Sequence, residues 1–377
     1  MKVLVSGDFC PHYRVAKMVA NADYSFFDSI KAIISEADYS IVNFECPVVE
    51  GQNIKPIKKA GPALRTDRSA VNAIKYAGFD CATLANNHFR DYGDIGCLVT
   101  IEELRKQQID YVGGGANLAE AQQIRYKNIG NERLAIVNFC ENEYSIATTT
   151  AAGSAPLDTV DNYNQITEAR NNADYVLVIV HGGHEMYQLP SPRMKKLYRY
   201  FVNLGADAVV NHHQHCFSGY EYYDGKPIIY GLGNLCFDWE GKQNSIWNEG
   251  FIVTITFDKA SSHIELYPYT QCNATPQIAL LKDCDTEIFN QKLSQLNKII
   301  KSDAVLQSHF DEWIESCYRR KTSIFASWNN RYLDIAARKR LLPIPMSANK
   351  AKSLLNHINC ESHRDISIAV LQKHANK

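Results

Sequence analysis

Five short stretches of this chain place oxygen and imidazole donors directly after apolar runs. Asp8 follows 3–6, Glu45 follows 40–44, Asn87 and His88 follow 83–85, His181 follows 176–180, and His212, His213 and His215 follow 208–210. Carboxylate oxygens, an amide oxygen and imidazole nitrogens suit Mn, Fe or Zn, and two such ions can share one carboxylate. The donors are not thiols, Cys10 beside Asp8 apart, which argues against a structural thiolate zinc site. Taken singly, each residue has an ordinary reading. Asp8 reads as a helix cap or turn residue, Asn86-Asn87 as a turn, Glu45 as half of a buried ion pair and His181 as a packed histidine. Three imidazoles within 212–215 are harder to assign to packing, and the recurrence of donors at strand ends favours one shared site. In open α/β sheets, ligands bind outside the carboxyl ends of the strands.

Those strand ends have to be held together by the elements around them. Apolar runs at 2–6, 39–44, 81–85, 111–113, 134–138, 175–180, 208–210, 227–231 and 251–257 predict strands. Helical periodicity between them, at 70–76, 95–108, 166–173 and 193–204, predicts an α/β architecture. Segments 221–230, 251–257 and 263–268 look like an antiparallel meander, so the sheets are expected to be mixed. After about residue 275 the pattern turns to amphipathic helices at 287–300, 303–318, 323–337, 348–358 and 362–375. The expected division is a catalytic domain over 1–270 and a helical region over 271–377. Trp313, Tyr318, Phe325 and Trp328 have the helical spacing of core residues.

The bulk composition narrows the function classes. A net charge of −1 over 377 residues gives no electrostatic case for nucleic acid. No apolar window approaches the roughly 18 residues of a membrane span, and the start Met1–Asp8 lacks a signal-peptide apolar region. Eleven scattered cysteines without a CxxC pair read as reduced, buried thiols, which points to the cytoplasm.

The motifs together resemble the CapA family of poly-γ-glutamate capsule synthesis proteins, whose fold is similar to the metallophosphoesterases. The matching stretches are Gly7-Asp8, Asn43-Phe44-Glu45-Cys46-Pro47, Ala85-Asn86-Asn87-His88 with Asp91-Tyr92-Gly93, and Gly113-Gly114-Gly115-Ala116-Asn117. They continue with His181-Gly182-Gly183-His184-Glu185, His212-His213-Gln214-His215 and Gly231-Leu232-Gly233-Asn234. The resemblance implies a metallophosphoesterase-like sandwich of mixed β-sheets flanked by helices, with divalent metal ions (Mn, Fe, Zn or Mg) as cofactors. It implies that Asp8 and His215 ligate a first ion, Asn87, His181 and His213 a second, and that Glu45 bridges them. His88 would then be the general acid and Asp91 the group that orients it. The family carries a Lys and an Arg between the second and third strands, which selects Lys59 and Arg65 as contacts for an anionic substrate. Two positions depart from the phosphoesterase motif: Cys10 stands where a His is expected, and Glu45 where an Asp is expected.

Around this set, Glu185 is a candidate for a substrate contact or a support for a ligand, and Asn234 for shaping the same sheet edge. Gly113-Gly114-Gly115 fits an anion-binding nest or a plain tight turn, and His12 is a candidate stand-in for the donor missing at Cys10. Three functions follow from the resemblance. One is a metal-dependent hydrolase of a phosphoester in capsule or polysaccharide biosynthesis, acting on an anionic small molecule or polymer precursor. The second is an enzyme attaching amino acids to the polymer. The third is a non-catalytic assembly factor working with other capsule-synthesis proteins.

Overall fold

The computed structural model describes residues 1–377 apart from 52, 259–260, 323–329, 344–345, 360–362, 364–366, 369–370, 372–374 and 376–377, with only the backbone of 318–322. The chain divides into two compact units, Met1–Leu306 and Gln307–Lys377.

The first unit is built on two mixed sheets. In one, strands β1 (Lys2–Cys10), β2 (Tyr39–Phe44), β3 (Cys81–Thr83) and β4 (Asp110–Val112) run parallel. Beyond β1 the sheet continues antiparallel through Glu249–Thr256, His263–Gln271 and Ile278–Leu280. In the other, Glu132–Cys140, Tyr175–His181, Ala208–His212 and Lys226–Ile229 are parallel neighbours, with antiparallel edges at Arg125–Ile129 and Tyr220–Tyr223. The mixed sandwich expected from the sequence is present.

Alternation along the strands explains the layering, because successive side chains point to opposite faces. Val3, Val5 and Ile41 meet Ile136, Leu177, Ile179 and Val210 in a core between the sheets. Leu4, Val42 and Ala82 face the other way, against Val15, Val19, Ile74 and Leu104 of the covering helices. With both faces covered, these strands are apolar at nearly every position, which is why they stand out as continuous runs.

The end of β1 is irregular. Val5 is its last residue paired with Glu249–Thr256; from Asp8 onward it pairs with a short strand, Asn234–Phe237, that the periodicity did not indicate. The register against β2 shifts between Ser6 and Asp8. Such bulges re-aim side chains and are common beside active sites. A Cβ at Gly7 would lie 2.0 Å from the Gly233 carbonyl oxygen, so only glycine lets the two chains approach this closely.

Helix Asp283–Lys301, which the sequence reading grouped with the helical tail, belongs to the first unit. Its Phe289 and Leu293 enter the inter-sheet core, where the Phe289 ring packs tilted against Phe217, 4.5 Å between centroids. In the second unit, helices Arg331–Arg338 and Ala348–Asn359 follow the helix that begins at Asp303. Trp313 stacks on Phe310 there; Phe325 and Trp328 lie outside the described residues, as does the Tyr318 side chain. Among the described residues no helix is long and apolar enough to cross a membrane.

Candidate active site

The carboxyl ends of β1, β2 and β3 and of the strands Tyr175–His181 and Ala208–His212 deliver Asp8, Glu45, Asn87, His181, His213 and His215 to one buried cluster. Asp8 Oδ1 accepts a hydrogen bond from Asn43 Nδ2 (2.7 Å), and Oδ2 accepts one from the His213 backbone N–H (3.3 Å). Asn86 is structural: its Nδ2 donates to the Phe44 carbonyl (2.9 Å), and its Oδ1 accepts from the His88 N–H (3.1 Å). That turn projects Asn87 into the cluster. His213 and His215 both sit at positive φ, +91° and +55°. Non-glycine residues are strained in this region, and such strain concentrates at functional sites.

The donors converge in two groups around Glu45. His181 Nε2 lies 3.0 Å from Asn87 Oδ1, 3.2 Å from His213 Nδ1 and 3.8 Å from Glu45 Oε1. On the other side, His215 Nε2 is 3.7 Å from Glu45 Oε1, and His215 Nδ1 is 3.6 Å from Asp8 Oδ2. Asp8, Glu45 and His181 each offer an atom within 4.8 Å of the others.

Glu45 is the telling residue. It is fully buried, and neither carboxylate oxygen has a hydrogen-bond partner. An ionised carboxylate cannot be left so without a compensating charge. Burial, and then the charge of Asp8, pushes its carboxyl well above the usual range. Burial, followed by repulsion from His213 and the other imidazoles, pushes His181 well below its ordinary value. His215 is also lowered, because burial outweighs the attraction of Asp8. Neutral imidazoles ringed around an unpartnered carboxylate are the donors a divalent cation needs, so the residues present fit the expected metal ions.

Cys10 does not fit as a donor. Its thiol lies in an apolar cluster with Cys46, Leu64, Phe237 and Trp247, and burial followed by the Cys46 thiol pushes its pKa well up. It stays protonated, and the thiolate is the ligating form. His12 does not replace it: its Nδ1 pairs with the Asp238 carbonyl (3.0 Å), and its ring stacks on Trp239. His212 is likewise committed to the Ser6 carbonyl through Nε2 (2.9 Å).

Beside the cluster, His88 Nδ1 donates to Asp91 Oδ2 at 2.7 Å, which leaves Nε2 as the ring's free nitrogen. Asp91 also accepts from the Leu64 N–H (2.7 Å) and pairs with Lys59, whose Nζ is 3.3 Å from His88 Nδ1. Lys59 is therefore folded inward as a partner of Asp91; it lines the cleft but does not stand free at its rim. Arg65 is exposed and packs over the Tyr92 ring, 5.6 Å away, outside the cleft lining, so it does not join the site. Asn234 is buried; its Oδ1 accepts from His215 Nδ1 (2.9 Å), and its Nδ2 donates to the Trp247 carbonyl (3.1 Å). Its side-chain amide is thus committed to His215 and Trp247. Glu185 does line the cleft. Gly113 makes a bend at φ +84°, where a Cβ would lie 2.1 Å from Asn138 Oδ1, and Gly114–Gly115 continue as a short strand paired with Gly153–Ser154.

The sequence reading passed over Asn43, the amide inside an otherwise apolar strand, and its odd polarity there was the available signal. It also passed over the aromatic wall of the cleft, Phe237, Trp239 and Trp247, with Lys242 and Glu143 nearby. The cleft has a volume of about 290 Å³.

Residues 2–239 match the family model described as bacterial capsule synthesis protein PGA_cap. The chain is 36% identical over 236 residues to the capsule biosynthesis protein CapA of Bacillus anthracis, covering 60% of this chain and 57% of that one. It is 35% identical over 217 residues to the PGA biosynthesis protein CapA of Bacillus subtilis (strain 168), covering 57% of each. It thus spans 57% of the length of these curated relatives. Among solved structures, a hypothetical protein from Thermus thermophilus superposes with a TM-score of 0.46 at 16% identity, covering 72% of this chain and 99% of that chain. The 5'-nucleotidase from Candida albicans superposes with a TM-score of 0.42 at 11% identity, covering 84% and 58%. With residues 2–239 matched to its model, the chain belongs to the family of bacterial capsule synthesis proteins.

Proposed function

We propose that this chain is a metal-dependent hydrolase that cleaves a phosphoester or related bond in an anionic precursor of capsule or surface polymer. The observation that carries the reading is the buried, unpartnered Glu45 carboxylate ringed by Asp8, Asn87, His181, His213 and His215. Divalent ions held by these residues would supply Lewis acidity toward the anionic group and a water activated near neutral pH.

The chain's own residues account for the rest. Asp91 fixes the His88 ring through Nδ1, so that Nε2 can deliver a proton to the leaving oxygen. Lys59 and the Leu64 N–H hold Asp91 in place, and Lys59 balances its charge. Asn234 keeps the His215 ring turned so that Nε2 faces Glu45. The printed names of the relatives, capsule and PGA biosynthesis proteins, support a role in surface-polymer synthesis alongside other capsule-synthesis proteins. The described cysteines are free and mostly buried thiols, which supports a reducing compartment, the cytoplasm.

The test is hydrolysis of an aryl phosphate by the purified chain with Mn²⁺. The expected result is metal-dependent turnover that falls about 100-fold or more in His88→Gln, with metal content retained. Turnover that is indifferent to chelators, or equal in His88→Gln, would contradict the reading.

A further inference from the structure

We propose that the cleft beside the ligand cluster is a subsite for a single pyranose ring, so that the substrate is a phosphorylated sugar rather than a polyglutamate chain. This rests on the hydrolase reading only for the fate of the phosphoryl group; the ring subsite is argued from the cleft itself.

One wall of the cleft is aromatic and rigid. Phe237, Trp239 and Trp247 pack edge to face, with centroids 5.1 to 6.1 Å apart. Trp239 is backed by the His12 ring, stacked 4.7 Å away at 16°, while it also lines the cleft. Phe237 and Trp247 are nearly buried, the Trp247 indole N–H being committed to the Phe237 carbonyl (2.7 Å), so Trp239 is the ring of the wall that is open to the cleft. The segment is anchored from below by Arg14. Its Nε donates to Asp238 (2.8 Å), and its guanidinium also holds the carbonyls of Cys272 (2.8 Å) and Asn273 (3.0 Å). A wall fixed in advance loses little conformational freedom when a ligand stacks on it. The wall also adjoins the donors, because Trp247 lies 4.6 Å, centroid to centroid, from the His215 ring.

The charges around the wall select the ring. Lys59 is tied to Asp91; the lining also carries Lys242, 5.2 Å over the Trp247 ring, and the carboxylates of Glu143 and Glu185. A chain of γ-linked glutamates carries one carboxylate per residue and would set each against Glu143 and Glu185. A pyranose instead offers a C–H face to the indole and a rim of hydroxyls. Those hydroxyls donate to carboxylates and accept from an ammonium. The volume of about 290 Å³ is enough for one sugar ring with its phosphate.

The test measures binding with phosphonates that cannot be hydrolysed, so it is read independently of turnover. The full chain, loaded with Mn²⁺, is titrated by calorimetry with a C-linked glucosyl phosphonate, ethylphosphonate, an adenosine phosphonate and γ-glutamylglutamate. The expected result is roughly tenfold tighter binding of the glucosyl compound than of ethylphosphonate. That ratio should fall to about one in Trp239→Ala and survive in Trp239→Tyr, which keeps the ring and guards against a folding artefact. Equal binding of the glucosyl and ethyl compounds by the native chain would overturn the proposal. So would a ratio untouched by Trp239→Ala, or a preference for the adenosine or glutamyl compound. A chain that binds the glucosyl phosphonate selectively yet hydrolyses no phosphoester would defeat the hydrolase reading and leave the sugar subsite standing.

Discussion

The two halves of the donor cluster are built to different standards. On the Asn87 side, His181 lies 3.0 Å from Asn87 and 3.2 Å from His213, with Glu45 3.8 Å away. On the Asp8 side, His215 lies 3.6 Å from Asp8 and 3.7 Å from Glu45, and Cys10 is withdrawn into an apolar cluster where a third donor is expected. In the proposed reading the same carboxylate would serve one complete site and one that is a donor short. Affinity follows donor number and preorganisation, so the account predicts one firmly held ion and one labile ion.

Removing the shared carboxylate should have the largest effect. Glu45→Gln is expected to abolish binding of both ions, read by elemental analysis after dialysis. It should also stabilise the metal-free chain by about 1–3 kcal/mol, because an unpartnered buried carboxylate is replaced by a neutral amide. The pH dependence has a definite sign. Burial raises the Glu45 pKa in the folded state, so the folded state holds a proton that the unfolded state has released. Stability of the metal-free chain therefore declines as pH rises above the ordinary value of 4.5 toward the raised one. Thermal melts at a series of pH values should show this component of the slope in the native chain and lose it in Glu45→Gln.

Breaking only the complete half should be the next largest effect. His181→Ala is expected to weaken the tighter ion by about 100-fold or more in a calorimetric titration. If both ions weaken equally, the two halves are not distinct. Cys10→His sharpens the comparison from the other side. By supplying the missing imidazole it should tighten the weaker ion by roughly tenfold. The larger side chain costs about 1–3 kcal/mol of stability in that packed cluster. Asn234→Ala should have the smallest effect, about a tenfold loss confined to the weaker ion, since Asn234 acts only through the orientation of His215.

Much of the site was legible in the sequence because strands covered on both faces are continuous apolar runs, so a polar residue at their carboxyl end marks a rim. That pattern marked Asp8, Glu45, Asn87, His181 and the 212–215 histidines, the family resemblance picked His213 and His215 among the last, and all six lie in one cluster. What sequence could not carry was direction. Lys59 reads as a contact for an anionic substrate, yet its side chain turns in to Asp91. Asn234 sits in a turn motif, yet its amide faces His215. Helix Asp283–Lys301 reveals an apolar stripe, but not that the stripe packs between the sheets of the first unit. The aromatic wall comes from a segment more than a hundred residues beyond Asn87, and only the fold brings them to one cleft.

Crystals of the full chain soaked in Mn²⁺ and measured at the manganese absorption edge would test the central claim most directly. The account predicts two anomalous peaks flanking the Glu45 carboxylate, the stronger among Asn87, His181 and His213 and the weaker between Asp8 and His215. Absence of any peak at Glu45, or a peak only at some other place in the molecule, would contradict it.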